Sequence, residues 1–269
     1  SLVGIMNLSG VLAALIVKNM VLIEGGEVAN PAMVVPAIVL ACVVAVVVGA
    51  ACGAFNGFII GYFGLPAMLV TLCGLQLYTG LAYGITGGPA INGMCDAFKN
   101  IANGTVAGIP YVLFIFIAVV AVVVFIMKCT VFGHEIYFLG SNAQAAMYSG
   151  INTLKVTIMT YMFSGILGGI SGILITSHLN SAKSSNGSTY TLLSLLIVVL
   201  GGVHPDGGKG RGAGVVLAVL LLQMIANAFG LMHRSDNAKT FANGCLLIAA
   251  LVLSVVLEKR EAQKAAAAS

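Results

Sequence analysis

The sequence predicts an all-α integral membrane protein, a polytopic helical bundle, and three observations carry that expectation. Of its 269 residues 59% are hydrophobic and only 7% charged, with a mean hydropathy of +1.08, a composition unlike that of a soluble domain. Apolar runs near 34–48, 112–127, 192–200, 215–228 and 246–257 recur with no long polar block between them. Residues 1–257 therefore read as one transmembrane domain and 258–269 as a cytoplasmic tail. The runs are continuous rather than alternating, which favours helices of roughly 20 residues over a barrel.

Taken in order, the helical segments fall near 2–18, 33–60, 67–86, 109–128, 154–175, 189–203, 213–232 and 238–257, so about eight spans are expected. The first leads straight from Ser1 into an apolar helix, with no basic leader before it and no cleavage pattern after it, which reads as a chain missing its natural beginning rather than a signal peptide. The second carries Gly49, Gly53, Gly57 and Gly61 at intervals of four, a stripe along one face; Gly165/Gly169 and Gly168/Gly172 repeat the spacing in the fifth. Such stripes let neighbouring backbones approach closely, as static packing or as a sliding surface. The sixth, 189–203, is short for a full crossing and reads as tilted, broken or re-entrant.

The stretch TVFGHEIYFLGSNAQAAMYSGINTLKV, residues 130–156, is too long for a hairpin turn. Within it SNAQAAMYSGI begins with capping types at Ser141 and Asn142, continues through helix formers and stops at Ser149-Gly150. That describes a short cytoplasmic helix, either a docking knob for another protein or an ordinary interfacial helix. Placing the C-terminal EKREAQKAAAAS inside puts seven Lys and Arg on the cytoplasmic side and five outside, a weak bias in the same sense.

The glycine-rich VVLGGVHPDGGKGRGAGVV, residues 198–216, invites a phosphate-loop reading and fails it. Gly208-Lys209 is followed by Gly210 rather than Ser or Thr, and the position five before Gly208 is Val203; no GxGxxG is completed either. What remains is a tight cytoplasmic turn through Gly201, Gly202, Pro205, Gly207, Gly208, Lys209 and Gly210, in which glycines permit positive φ and Pro205 stiffens the approach.

Catalytic constellations are equally lacking. His134, His178, His204 and His233 fall in separate expected connections, His134-Glu135 does not continue to a second histidine, and GxSxG does not occur. The six cysteines show no CxxC spacing and mostly sit in apolar runs as small hydrophobes. No cofactor, no metal and no nucleic-acid partner is expected. Every Asp and Glu falls in an expected loop or tail, which argues against ion-coupled transport, because such carriers often place an ionisable group or a broken helix at membrane depth. The spans instead hold neutral polar residues, among them Asn7, Ser9, Asn56, Thr71, Gln76 and Asn227. Each suits interhelical hydrogen bonding; as a set, with Asn56, Thr71, Gln76 and Asn227 as the pathway candidates, they also suit a route for an uncharged, hydroxyl-rich solute.

GSNAQAAMYSGIN at 140–152, SGILGGISGIL at 164–174, LNSA at 179–182 and the glycine-rich stretch, together with NGFIIGYFGLPAMLVTLCGLQLYTGLAYGITGG at 56–88, resemble the membrane (permease) subunits of bacterial ABC importers for monosaccharides, of the ribose-transport type. The resemblance runs to about residue 257 in the same order. It implies a pair of permease copies or homologues in the inner membrane, ABC ATPase subunits docked on a coupling helix, and a periplasmic or lipoprotein sugar-binding protein. Carried over by position, the coupling helix is residues 142–150, with Asn142, Ala143, Ala145, Ala146, Ser149 and Gly150. ATP is then hydrolysed on a partner, and this chain, surrounded by lipid, is no enzyme. One departure is visible: members of that family carry two further helices and a Gly-Ile-Asp-Leu-Ser element where this chain has only Ser1, so about ten spans are reduced to about eight. A branched-chain amino-acid permease and a stand-alone carrier or channel remain as alternatives.

Overall fold

The structure, a computed structural model, describes residues 1–21, 33–106, 108–203, 212–231 and 244. Its chain divides into two compact units, one formed by Ser1–Ile136 with Gln144–Ser188, the other by Tyr137–Ala143 with Thr189–Ser269. Five helices are long and apolar enough to cross a membrane: α1 (Leu2–Val21), α2 (Val34–Phe63), α3 (Ala67–Thr86), α5 (Tyr111–Cys129) and α8 (Thr153–Leu179). They match five of the expected segments closely. Short elements join them: α4 (Asp96–Asn103), α6 (Val131–Ser141), α7 (Ala143–Tyr148), and the strand pairs β1 (Ile91–Asn92) with β4 (Ser181–Ala182) and β2 (Thr105–Val106) with β3 (Ile109–Pro110). The second unit carries α9 (Ser188–Leu200) and α10 (Gly212–Leu231). The expected segment 238–257 lies outside the described residues, as does the tail.

In the first unit α2 and α8 run antiparallel in close contact. The glycine stripe explains it: α2 buries Ala37, Ala41, Ala45, Gly49, Gly53 and Gly57, and α8 buries Gly165, Gly168, Gly169 and Gly172. A Cβ on Gly49 would overlap the Gly165 carbonyl, and one on Gly53 the Tyr161 carbonyl. Small residues are what permit this approach where lipid offers no hydrophobic drive between helices. The helix ends are set locally. Gly64 takes the left-handed conformation, φ 62°, and Leu65-Pro66 starts α3, while the Asn152 side chain caps α8 by accepting from the Lys155 N–H at 3.0 Å.

Helix α1 packs against α2, α3 and α8 and buries thirteen of its twenty residues. Its register against α8 is fixed by two contacts. Ile5 lies at Gly168, and the Met6 carbonyl and Ser9 hydroxyl lie at Gly172, so α1 and α8 run parallel. Helix α3 presents a single stripe, Val70, Gly74, Tyr78 and Ala82, to this core. Helix α5 packs on α4 and buries none of its residues within the unit.

Two short helices were not anticipated. Helix α6 turns Val131–Ser141 of the expected connection 130–156 into helix, and Ser141 is its last residue. The Ser141 hydroxyl donates back to the Tyr137 or Phe138 carbonyl, at 3.0 and 3.1 Å, and does not cap α7. Helix α4 covers the C-terminal end of α8 with Phe98 and Ala102 buried. Ser177 of α8 stitches it there: its hydroxyl donates to the Phe98 carbonyl at 2.7 Å and accepts the Ala102 N–H at 3.0 Å. His134 and His178 are therefore helical rather than in open loops; His134 Nδ1 lies 3.0 Å from the Thr130 carbonyl and His178 Nδ1 2.8 Å from Asn103 Oδ1.

Candidate functional site

Helix α7 forms where the short helix was expected, at Ala143–Tyr148. Asn142 precedes it, and the chain leaves it through the Ser149 N–H to the Ala145 carbonyl, 3.0 Å, and Gly150 at φ 81°. Ala146 is only 1% exposed, whereas Ala143, Ala145, Ser149 and Gly150 are exposed. Beside them stand Met147, 58% exposed, and Tyr148, 86% exposed. In the sequence both are ordinary helix-face residues; the burial of Ala146 shows which side is left open. Asn152 and Thr153 follow at once, so α7 sits at the N-terminal end of α8, opposite the α4 cap.

Of the glycine-rich turn the structure describes Gly201 and Gly202. Gly202, at φ 72°, ends α9 with its N–H on the Val199 carbonyl and the Val203 N–H on the Val198 carbonyl, both at 3.1 Å, a Schellman closure. Gly201 meets Gly214 and Val215 of α10 so closely that a Cβ at Gly201 would come within 2.8 Å of Val215 Cα. Pro205, Gly207, Gly208, Lys209 and Gly210 lie outside the described residues.

Of the four pathway candidates, Asn56, Thr71 and Gln76 of the first unit do not converge, and Asn227 belongs to the second unit. Asn56 is 2% exposed in the core; its Oδ1 accepts from the Tyr78 hydroxyl at 3.0 Å, which also reaches the Cys52 carbonyl at 3.0 Å, and its Nδ2 has no partner. Thr71 turns its hydroxyl back to the Met68 carbonyl at 3.1 Å. Gln76 points away from the buried stripe of α3 and is exposed. Asn227 is exposed on α10, its Oδ1 accepting from Gln223 Nε2 at 3.3 Å.

A different polar group does converge, built around Asn7 of α1. The Asn7 side chain in α1 donates its Nδ2–H to the Ser184 carbonyl at 2.6 Å and accepts the Gly187 N–H on Oδ1 at 3.1 Å. It thus grips both ends of the turn 184–187. The chain reaches that turn because Asn180, at φ 51°, reverses it after α8, with its Oδ1 taking the Met94 N–H at 3.0 Å. β4 then pairs with β1, and the turn is closed by Asn186 N–H to the Lys183 carbonyl, 3.2 Å, and Asn186 Nδ2 to the Ser181 carbonyl, 3.0 Å. Gly187 packs against the Met6 and Val3 side chains, which would have to shift to admit an added Cβ. Ser184 and Gly187 are buried, whereas Lys183, Ser185 and Ser188 are exposed. Among the described residues no group of three or more His, Cys, Asp or Glu is placed to hold a metal ion.

A family model described as the branched-chain amino acid transport system permease component matches residues 1–252. The chain belongs to that family. It is 33% identical over 204 residues to a ribose import permease protein of Haemophilus influenzae, covering 74% of this chain and 63% of that one. An autoinducer 2 import system permease protein of Photorhabdus temperata is 34% identical over 207 residues, 75% of this chain and 62% of its own. An L-arabinose transport system permease protein of Escherichia coli is 29% identical over 204 residues, 76% and 62%. The chain thus spans about 62–63% of the length of these curated relatives. No solved structure matches it.

Proposed function

We propose that this permease is the membrane-spanning subunit of an ATP-binding-cassette importer. It moves a monosaccharide or related neutral, polyol-like solute across the bacterial inner membrane by alternating access. What carries the reading is family membership joined to relatives named for ribose, autoinducer 2 and L-arabinose; these names favour a hydroxylated solute over the branched-chain amino acids of the family description. Residues 1–257 form the transmembrane part and 258–269 a cytoplasmic tail.

Helix α7 is the docking knob for a separate ATPase subunit, with Asn142, Ala143, Ala145, Ala146, Ser149 and Gly150 as its element and Met147 and Tyr148 as its exposed apolar contacts. The glycine turn through Gly201, Gly202, Pro205, Gly207, Gly208, Lys209 and Gly210 is a cytoplasmic turn that binds no nucleotide. A second permease copy or homologue completes the membrane part, and an extracytoplasmic sugar-binding protein delivers the solute. ATP-driven closure of the partners shifts the permease between two states only as far as they bind the two states differently.

The experiment is isolation of the intact complex, identification of its subunits and bound ligand, and reconstitution in vesicles with a panel of aldopentoses and aldohexoses. ATP-dependent accumulation of one sugar is the expected result. Accumulation by the permease without any ATPase would refute the reading and favour a stand-alone carrier.

A further inference from the structure

The turn held by Asn7 lies at hydrocarbon depth. Asn7 falls between the contacts at Gly168 and Gly172, level with about residue 170 of α8. By the helix rise that is roughly 14 Å below Leu179 and roughly 25 Å above Thr153. Helix α2 gives the same level independently, since Gly169 abuts the Ala45 carbonyl and Ala45 lies within about 5 Å of the middle of α2. Against a hydrocarbon layer about 30 Å thick, the turn is nearer the centre than either surface, and tilting the helices only brings it nearer. After β4 the chain has therefore dipped back into the membrane.

At that depth sit three exposed polar residues, Lys183, Ser185 and Ser188, on backbone that is neither helix nor sheet through residue 187. Irregular backbone and open polar groups are not tolerated against lipid; they survive only where protein covers them or where they line a water-filled cavity. An exposed lysine at this level makes the same demand. The large groove between α2 and α3, about 450 Å³ and lined by Phe55, Ile59, Leu65, Leu69, Cys73 and Leu77 among others, has the opposite character and nothing to offer a hydroxylated solute.

Resting on the transport reading above, we infer that residues 183–188 line the aqueous path and present the Ser185 and Ser188 hydroxyls to the neutral, hydroxyl-rich solute. A hydroxyl both donates and accepts, which matches the alternation of roles a sugar hydroxyl requires. Asn7 is the positioning residue, holding the turn at depth without touching solute.

The test uses the complete transporter, reconstituted with its ATPase, in a background whose native cysteines are replaced and whose transport is checked first. Ser185→Cys and Ser188→Cys are compared with Val122→Cys on α5, using a charged, membrane-impermeant methanethiosulfonate with and without the sugar identified by the uptake assay. Both serine positions are expected to react at least tenfold faster than position 122 and to be protected severalfold by the sugar. Ser185→Ala and Ser188→Ala should raise the KM for the sugar roughly three- to tenfold while leaving assembly with the ATPase unchanged. In a transporter that accumulates sugar, reaction rates no faster than at position 122, or rates the sugar leaves unchanged, overturn the inference while the transport reading stands. Transport that needs no ATPase defeats that reading instead, and sugar-protected labelling would still place the turn on the path.

Discussion

Gly49 in α2 and Gly165 in α8 lie backbone to backbone, each occupying the space where a side chain on the other would stand. Their contact is the tightest constraint on the first unit, because the neighbouring Gly53, Gly169 and Ala45 are spaced to meet α8 or α2 in the same register. Gly49→Val or Gly165→Val should force the helices apart and destabilise the protein by about 1–3 kcal/mol. Gly80→Ala on α3, where an added Cβ meets nothing within 4 Å, should be neutral or slightly stabilising, since alanine is the better helix former. Thermal unfolding in detergent compares them, and equal effects at both positions would show that the close approach is not what holds α2 to α8.

This stripe was legible in advance because a repeat of four is a property of one helix alone. The partner of Asn56 was not: Tyr78 sits on another helix, and nothing in either segment announces the pairing. Helix α4 escaped for a related reason. DAFKNIAN is only eight residues, and it is held by Ser177 from 75 residues away. The depth of the turn 183–188 depends on how α1 registers against α8, a tertiary quantity, although the polar run KSSNGS ahead of an apolar segment too short to cross hinted at a chain already part-way in.

Tyr78 and Asn56 form a buried pair, 3% and 2% exposed, so removing one member strands the other. Tyr78→Phe leaves the Asn56 amide with neither group bonded, and a cost of about 1–3 kcal/mol is expected. Asn56→Leu combined with Tyr78→Phe should recover much of that loss, because no buried polar side chain is then left unpaired. A double-mutant cycle on the unfolding midpoint checks this; simple additivity would mean the hydrogen bond contributes nothing.

The α7 knob calls for a surface change rather than a core one. Ala146 is 1% exposed, so Ala146→Arg confounds docking with misfolding. Ala145 is exposed, and Ala145→Arg should abolish co-purification of the ATPase while membrane insertion and thermal stability stay near wild type. Tyr148→Ala, at the most exposed apolar position of α7, should weaken the association by about tenfold or more if the tyrosine is an interface anchor. Retained co-purification and transport in both variants would remove the knob from residues 142–150.

Asn7 offers the sharpest local readout, because two distant backbone groups depend on one side chain. Asn7→Leu keeps the size but removes both bonds. The Gly187 N–H, buried and bonded to Asn7 Oδ1, should then exchange with solvent roughly tenfold or more faster, corresponding to about 1–2 kcal/mol of local opening. Asn7→Asp keeps an acceptor for Gly187 but sets a carboxylate oxygen against the Ser184 carbonyl, where an amide N–H now donates at 2.6 Å. That variant thus keeps the Gly187 bond and loses the one to Ser184. Hydrogen exchange should rank wild type slowest, Asn7→Asp intermediate and Asn7→Leu fastest. If all three exchange alike at Gly187, the turn is held at its depth by β1–β4 pairing and packing on Met6 alone, and Asn7 is not its anchor.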